Sequence, residues 1–138
     1  HIYLFRRPED ALTSYYYFHL RYSHLDHVKE AGIDAFVLQK LDDYILHLES
    51  IICSGLDTTQ LKVISYENLV QDTHNVMVSL TSWMDLSYSK YEIDKSIKLS
   101  SFKCYKKGKK ISKKDILFFR RGKIGEGEQE LKTETKNI

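Results

Sequence analysis

The chain opens on a run of apolar, β-favouring residues, Ile2-Tyr3-Leu4-Phe5, that stops at Arg6 and Arg7. Such a run predicts a strand. Pro8, Glu9 and Asp10 come next, and they suit a first helical turn, where proline forfeits no hydrogen bond and acidic side chains face the positive end of the helix. That helix is expected from Pro8 to about His24, with Tyr15, Tyr16, Tyr17 and Phe18 thickening one side against a sheet. Gly32 predicts a break. From Ile33 to Ile52 apolar residues return at helical spacing, among them Phe36, Val37, Leu41, Tyr44, Ile45 and Leu48, and Gly55 ends the segment. Leu61 to Ser65 reads as a second strand with Tyr66 at its exit. One helix is predicted over Glu67 to Met84 and a shorter one from Lys90 to about Ser100.

Two strands separated by a long helical crossover cannot form a hairpin, so the pattern predicts an α/β fold with a parallel sheet, flanking helices and right-handed connection. Ligands of such sheets bind beyond the C-terminal ends of the strands. Arg6 and Tyr66 both fall there, and should open to the same side. Two parallel strands alone would leave bare edges and faces. Further strands are therefore expected before residue 1, and His1, directly ahead of a core strand, suggests a chain that begins inside a larger protein.

Composition narrows the classes. At 138 residues the chain has the length of one modest domain, with no apolar run near the roughly 18 residues of a membrane span. A net charge of +2 does not suit a nucleic-acid binder as a whole, although lysine gathers in the last third. Cys53 and Cys104 are too few and too distant for a disulfide framework or a CxxC site, so a reducing, cytoplasmic setting is expected. His19, His24 and His27 lack a carboxylate or cysteine at recognised ligand spacing, and no metal site is expected.

The candidate chemistry is anion binding. Arg6 at a strand end can grip phosphate oxygens through two parallel bonds, and Ser14, well inside the following helix, can donate a third. A surface ion pair is the plainer alternative for Arg6. Lys103 to Lys114 is a lysine cluster, followed by Phe118-Phe119-Arg120-Arg121-Gly122. The two arginines and the unobstructed glycine amide suit a phosphate approached from a loop, while a basic run with aromatics also fits a solvated or nucleic-acid-facing surface.

Four segments in order resemble the sulfotransferases that use 3′-phosphoadenosine 5′-phosphosulfate, particularly the cytosolic type. Tyr3-Leu-Phe-Arg-Arg-Pro-Glu-Asp10 through Ser14 is similar to that family's strand, loop and helix for the 3′-phosphate. Val63-Ile-Ser-Tyr-Glu-Asn-Leu69 is similar to its Tyr-Glu-Asp-Leu strand exit, and Ser100-Ser-Phe102 to its Ser-Phe segment. Phe118-x-Arg-Arg-Gly-x-x-Gly-Glu126 is similar to its Phe-x-Arg-Lys-Gly-x-x-Gly-Asp loop. The resemblance implies a P-loop-NTPase-like sulfotransferase fold, incomplete in this chain. Residues 1–138 would form the C-terminal part of one domain, with 118–138 as cofactor loop and flexible tail.

By the same resemblance Arg6, Ser14, Arg120, Arg121 and Gly122 would bind the 3′-phosphate, and Tyr66 and Phe102 the adenine. Ser100, Ser101, Tyr105, Phe118 and Phe119 fall in the matching cofactor-binding neighbourhood. His47 falls where the family often has a histidine, and a structural role is expected for it. The chain departs from the family after the Gly-Asp position, where tryptophan and lysine are replaced by Gly127 and Glu128. The family's phosphosulfate-binding loop with its lysine, and its catalytic histidine, are expected upstream of His1, so no catalytic residue is assigned here.

The function so implied is transfer of a sulfuryl group to a hydroxyl or amine acceptor by the complete protein, without a metal and leaving adenosine 3′,5′-bisphosphate. This chain would carry the nucleotide-binding part and be inactive alone. Two alternatives remain: a non-catalytic adenosine 3′,5′-bisphosphate-binding module, and a basic nucleic-acid-binding module centred on the lysine cluster. The expected partners are the nucleotide donor and a small-molecule acceptor, with no nucleic acid and no membrane.

Overall fold

The computed structural model describes residues 1–22, 26–101 and 124–138. The described elements run β1 (Ile2–Phe5), α1 (Pro8–Tyr22), α2 (Asp26–Ile52), β2 (Lys62–Ser65), α3 (Tyr66–Gln71), α4 (Thr73–Trp83), α5 (Lys90–Leu99), α6 (Glu126–Glu130) and α7 (Thr133–Lys136). They fall into two compact units. The first holds His1–Arg6 with residues 55–101, and the second holds Arg7–Ser54 with residues 124–138.

In the first unit β1 and β2 pair in parallel, with Ile2 opposite Lys62 and Phe5 opposite Ser65, as the crossover length requires. The single helix expected over Glu67 to Met84 is two. Asp72 ends α3 by donating its amide to the Asn68 carbonyl at 2.9 Å. It then opens α4, its carboxylate accepting the Asn75 amide at 3.3 Å and side-chain nitrogen at 2.8 Å. An aspartate that can satisfy orphan amides favours a new helix start over helix continuation. Tyr66, read as a strand exit, is already the first residue of α3, because Ser65 caps that helix by accepting the Asn68 amide at 3.1 Å. The Trp83 indole N–H donates to the Thr58 carbonyl at 2.8 Å, tying the end of α4 to the turn before β2. A complete capping box of Ser89 and Glu92 starts α5, and the His74 ring nitrogen meets Asp94 at 2.7 Å across α4 and α5.

The second unit is built on α1 against α2. Leu12, Val37 and Leu131 form one buried cluster, and Tyr16, Val28 and Phe36 form another. The break expected at Gly32 is there: the helical segment α2 kinks at Gly32, whose φ 81° and ψ 172° are non-helical, and a further helical stretch from Asp26 precedes it. A positive φ is cheap only for glycine. Val28 before the kink and Phe36 after it both join the second cluster. Of the aromatic run only Tyr16 is buried, while Tyr15 and Phe18 stay 43% and 40% exposed. Tyr15 and Tyr16 each place a ring centroid 5.6 Å from that of Phe36 in α2.

Residues 126–136, expected as tail, form α6 and α7 and bury Leu131. Asp34 of α2 receives the Lys132 amide at 2.9 Å and the Thr135 hydroxyl at 2.8 Å. These hydrogen bonds, the Lys132 amide first, hold its carboxyl below the usual range. A carboxylate depressed in the folded state stabilises above its unfolded pKa and loses that stabilisation as pH falls through the folded one. Denaturant melts between about pH 5 and pH 2, starting from an unfolded value near 3.9, should therefore show falling stability, with a shallower slope in Asp34→Asn. An unchanged slope in that variant would refute the assignment.

Candidate nucleotide-binding site

Two arginines follow β1, and the structure gives them different work. Arg7 in the second unit faces carboxylates, 3.8 Å from Asp10 and 3.4 Å from Glu128. Arg6 in the first unit lies half-buried at the strand end, its guanidinium carbon 4.5 Å from the centroid of the Tyr66 ring. The strand register explains that contact. Since Phe5 pairs with Ser65, the next residues of two parallel strands, Arg6 and Tyr66, emerge side by side at the C-terminal edge. Of the residues singled out in the sequence, this pair is brought together in the first unit.

Ser100 and Ser101 also belong to the first unit. Ser100 closes α5, donating its amide to the Ser96 carbonyl at 2.9 Å, and is exposed; Ser101 is half-buried. Ser14 sits on an exposed face of α1 in the second unit. Phe102, Tyr105, Phe118, Phe119, Arg120, Arg121 and Gly122 lie outside the described residues, as does the Lys103 to Lys114 cluster. His47 is exposed on α2, at a groove of about 440 Å³ shared with Tyr15, Lys40, Asp43 and Tyr44.

The residue that sequence reasoning missed is Asp10. Counted there as a first-turn acid, it is 1% exposed and accepts two amides, Gly125 at 2.8 Å and Gly127 at 2.7 Å. A buried carboxylate needs such partners, because burying it unpaired would cost far more than one hydrogen bond. The anchor fixes α6 to the first turn of α1, three residues beyond the Arg120-Arg121-Gly122 motif. Its available signal is the Gly125-x-Gly127 spacing, which leaves two amides open to close approach.

Chemically, the strand-end pair offers a planar cation held against a ring at the edge where parallel sheets bind ligands. A guanidinium in that position fits a phosphate oxygen pair. Among the described residues no group of His, Cys, Asp and Glu is arranged to hold a metal ion. Among the same residues no helix is long and apolar enough to cross a membrane.

No curated protein sequence matches the chain. Among solved structures the chain is similar to mouse sulfotransferase SULT7A1 complexed with PAP, with a TM-score of 0.66 and 16% sequence identity. The match covers 99% of this chain and 53% of that one, so the chain spans about half the length of the structure it resembles. That likeness shows the fold, an α/β sulfotransferase fold with a short parallel sheet and flanking helices. A family model described as the sulfotransferase domain matches residues 1–137, and the chain therefore belongs to the sulfotransferase family.

Proposed function

We propose that this chain forms the part of a sulfotransferase that holds the 3′-phosphate and adenine end of 3′-phosphoadenosine 5′-phosphosulfate, with Arg6 as the principal phosphate ligand in the first unit. The observation that carries the reading is the Arg6 and Tyr66 pair at the C-terminal edge of parallel strands, in a chain that a sulfotransferase model matches almost end to end. Ser14 and the Arg120-Arg121-Gly122 motif would add donors to the same phosphate. Ser100, Ser101, Phe102 and Tyr105 would supply the surroundings of the nucleoside. The donor carries the sulfuryl group, and the work of these residues is to bind and orient its nucleotide.

Transfer would go to a hydroxyl or amine of a small-molecule acceptor in the complete, cytoplasmic protein. It also needs a base and a cation at the transferring sulfur, and no segment here matches the family's lysine-bearing loop or catalytic histidine. The chain alone should therefore bind without transferring. Titration calorimetry should show saturable binding of adenosine 3′,5′-bisphosphate and much weaker binding of adenosine 5′-monophosphate, with no sulfation of a phenol offered together with the donor. Equal affinity for the two nucleotides would defeat the assignment of a 3′-phosphate site.

A further inference from the structure

We propose that Tyr66 is a positioning residue for the phosphate-binding arginine and not an adenine contact, a role that rests on the donor-site reading above. The guanidinium of Arg6 sits 4.5 Å from the ring centroid, well inside the roughly 6 Å within which a cation is attracted by the face of an aromatic ring. An arginine side chain has much rotamer entropy to lose on being fixed. A chain end that must present a planar fork to a phosphate gains by losing that freedom before the ligand arrives. The face of the Tyr66 ring restricts the Arg6 guanidinium in this way.

Tyr66 is well placed to be rigid. Its backbone begins α3 immediately after β2, and Ser65 accepts the Asn68 amide at 3.1 Å to fix that start. Register then sets the approach of Arg6 from the neighbouring strand. The ring face covered by the guanidinium is closed to a stacked base. The role therefore belongs to the phosphate side of the nucleotide, and its signature is selective: losing the ring face should weaken recognition of the 3′-phosphate and spare the nucleoside.

The test is calorimetry on the whole chain with adenosine 3′,5′-bisphosphate and adenosine 5′-monophosphate as probes. Tyr66→Phe, which keeps the ring face, should bind the bisphosphate within about twofold of the unaltered chain. Tyr66→Leu should lose about three- to tenfold for the bisphosphate, as expected for a cation–ring contact, with the monophosphate almost unchanged. In an Arg6→Ala background the same leucine substitution should have no further effect, since the partner is gone. A thermal melt of each variant separates lost folding from lost binding. If Tyr66→Leu fails to fold, Tyr66→Met, bulky but without a ring face, takes its place with the same expectation. Equal losses for both nucleotides, or effects that simply add in the double variant, would overturn the positioning role and leave the donor site standing. Absence of any bisphosphate preference in the unaltered chain would overturn the donor-site reading and this role with it.

Discussion

Arg6→Ala should weaken binding of adenosine 3′,5′-bisphosphate roughly a hundredfold, from two charge-assisted hydrogen bonds at about 1.5 kcal/mol each and about 1.4 kcal/mol per tenfold. The basis is position. Arg6 leaves β1 at the edge where parallel sheets take their ligands and lies against Tyr66. Arg6→Lys should fall between, because an ammonium keeps the charge but not the planar fork. Arg7→Ala is the instructive control: its guanidinium meets Asp10 and Glu128, so its loss should be read mainly in stability. Calorimetry of the three variants at one fixed salt concentration decides the matter, and an Arg6→Ala affinity within twofold of the unaltered chain would remove Arg6 from the site.

Gly127→Ala is expected to cost the chain much of its stability. A β-carbon at position 127 would lie 2.4 Å from both the carbonyl carbon and oxygen of Glu9, and 2.8 Å from its β-carbon. Two of those three atoms are backbone, which cannot rotate away, so α6 would have to lift from the start of α1. That movement strains or breaks the 2.7 Å hydrogen bond from the Gly127 amide to Asp10, whose carboxylate is nearly inaccessible to water. Overpacking costs about 1–3 kcal/mol, and a lost hydrogen bond to a charged group about 1.5–3 kcal/mol. Together, about 2.5–6 kcal/mol, these reach at most the lower end of the stability of a small domain, about 5–15 kcal/mol. Denaturant unfolding followed by circular dichroism measures the loss, and hydrogen exchange at Gly125 and residue 127 localises it. A change under 1 kcal/mol would mean that α6 does not sit where the structure places it.

Much of the framework was legible because it rests on local rules. Apolar period and breaker residues located β1, β2 and α5. Crossover length alone predicted parallel strands, and hence that Arg6 and Tyr66 would share a side. The single helix expected over Glu67 to Met84 divides at Asp72 for a local reason too. Helical spacing continues through Leu69, Val76 and Leu80, and it masked a residue better suited to capping than to a helix interior.

Asp10 was hard to find on different grounds, with only the Gly125-x-Gly127 spacing to hint at it. Its partners, Gly125 and Gly127, lie at the far end of the chain, and no periodicity reports a bond across such a separation. The contact between Arg6 and Tyr66 was half visible: strand order placed the residues together, but only register and side-chain direction show that one lies over the other. For Gly127, the departure from the family's tryptophan was visible as a difference, and its meaning came with the nearness of the Glu9 backbone.

The pairing of Phe5 with Ser65 also bears on how such a chain can vary. Arg6 and Tyr66 are far apart along the polypeptide, yet their spacing is set by backbone hydrogen bonds between neighbouring strands and not by the helices that join them. Those helices can lengthen, shorten or change surface without altering the distance from the cation to the ring. A lineage could therefore remodel the intervening segment for new purposes while passing on the same grip on its nucleotide. A one-residue slip within either strand has the opposite character, since it would part the two side chains while leaving composition and almost every helix as before.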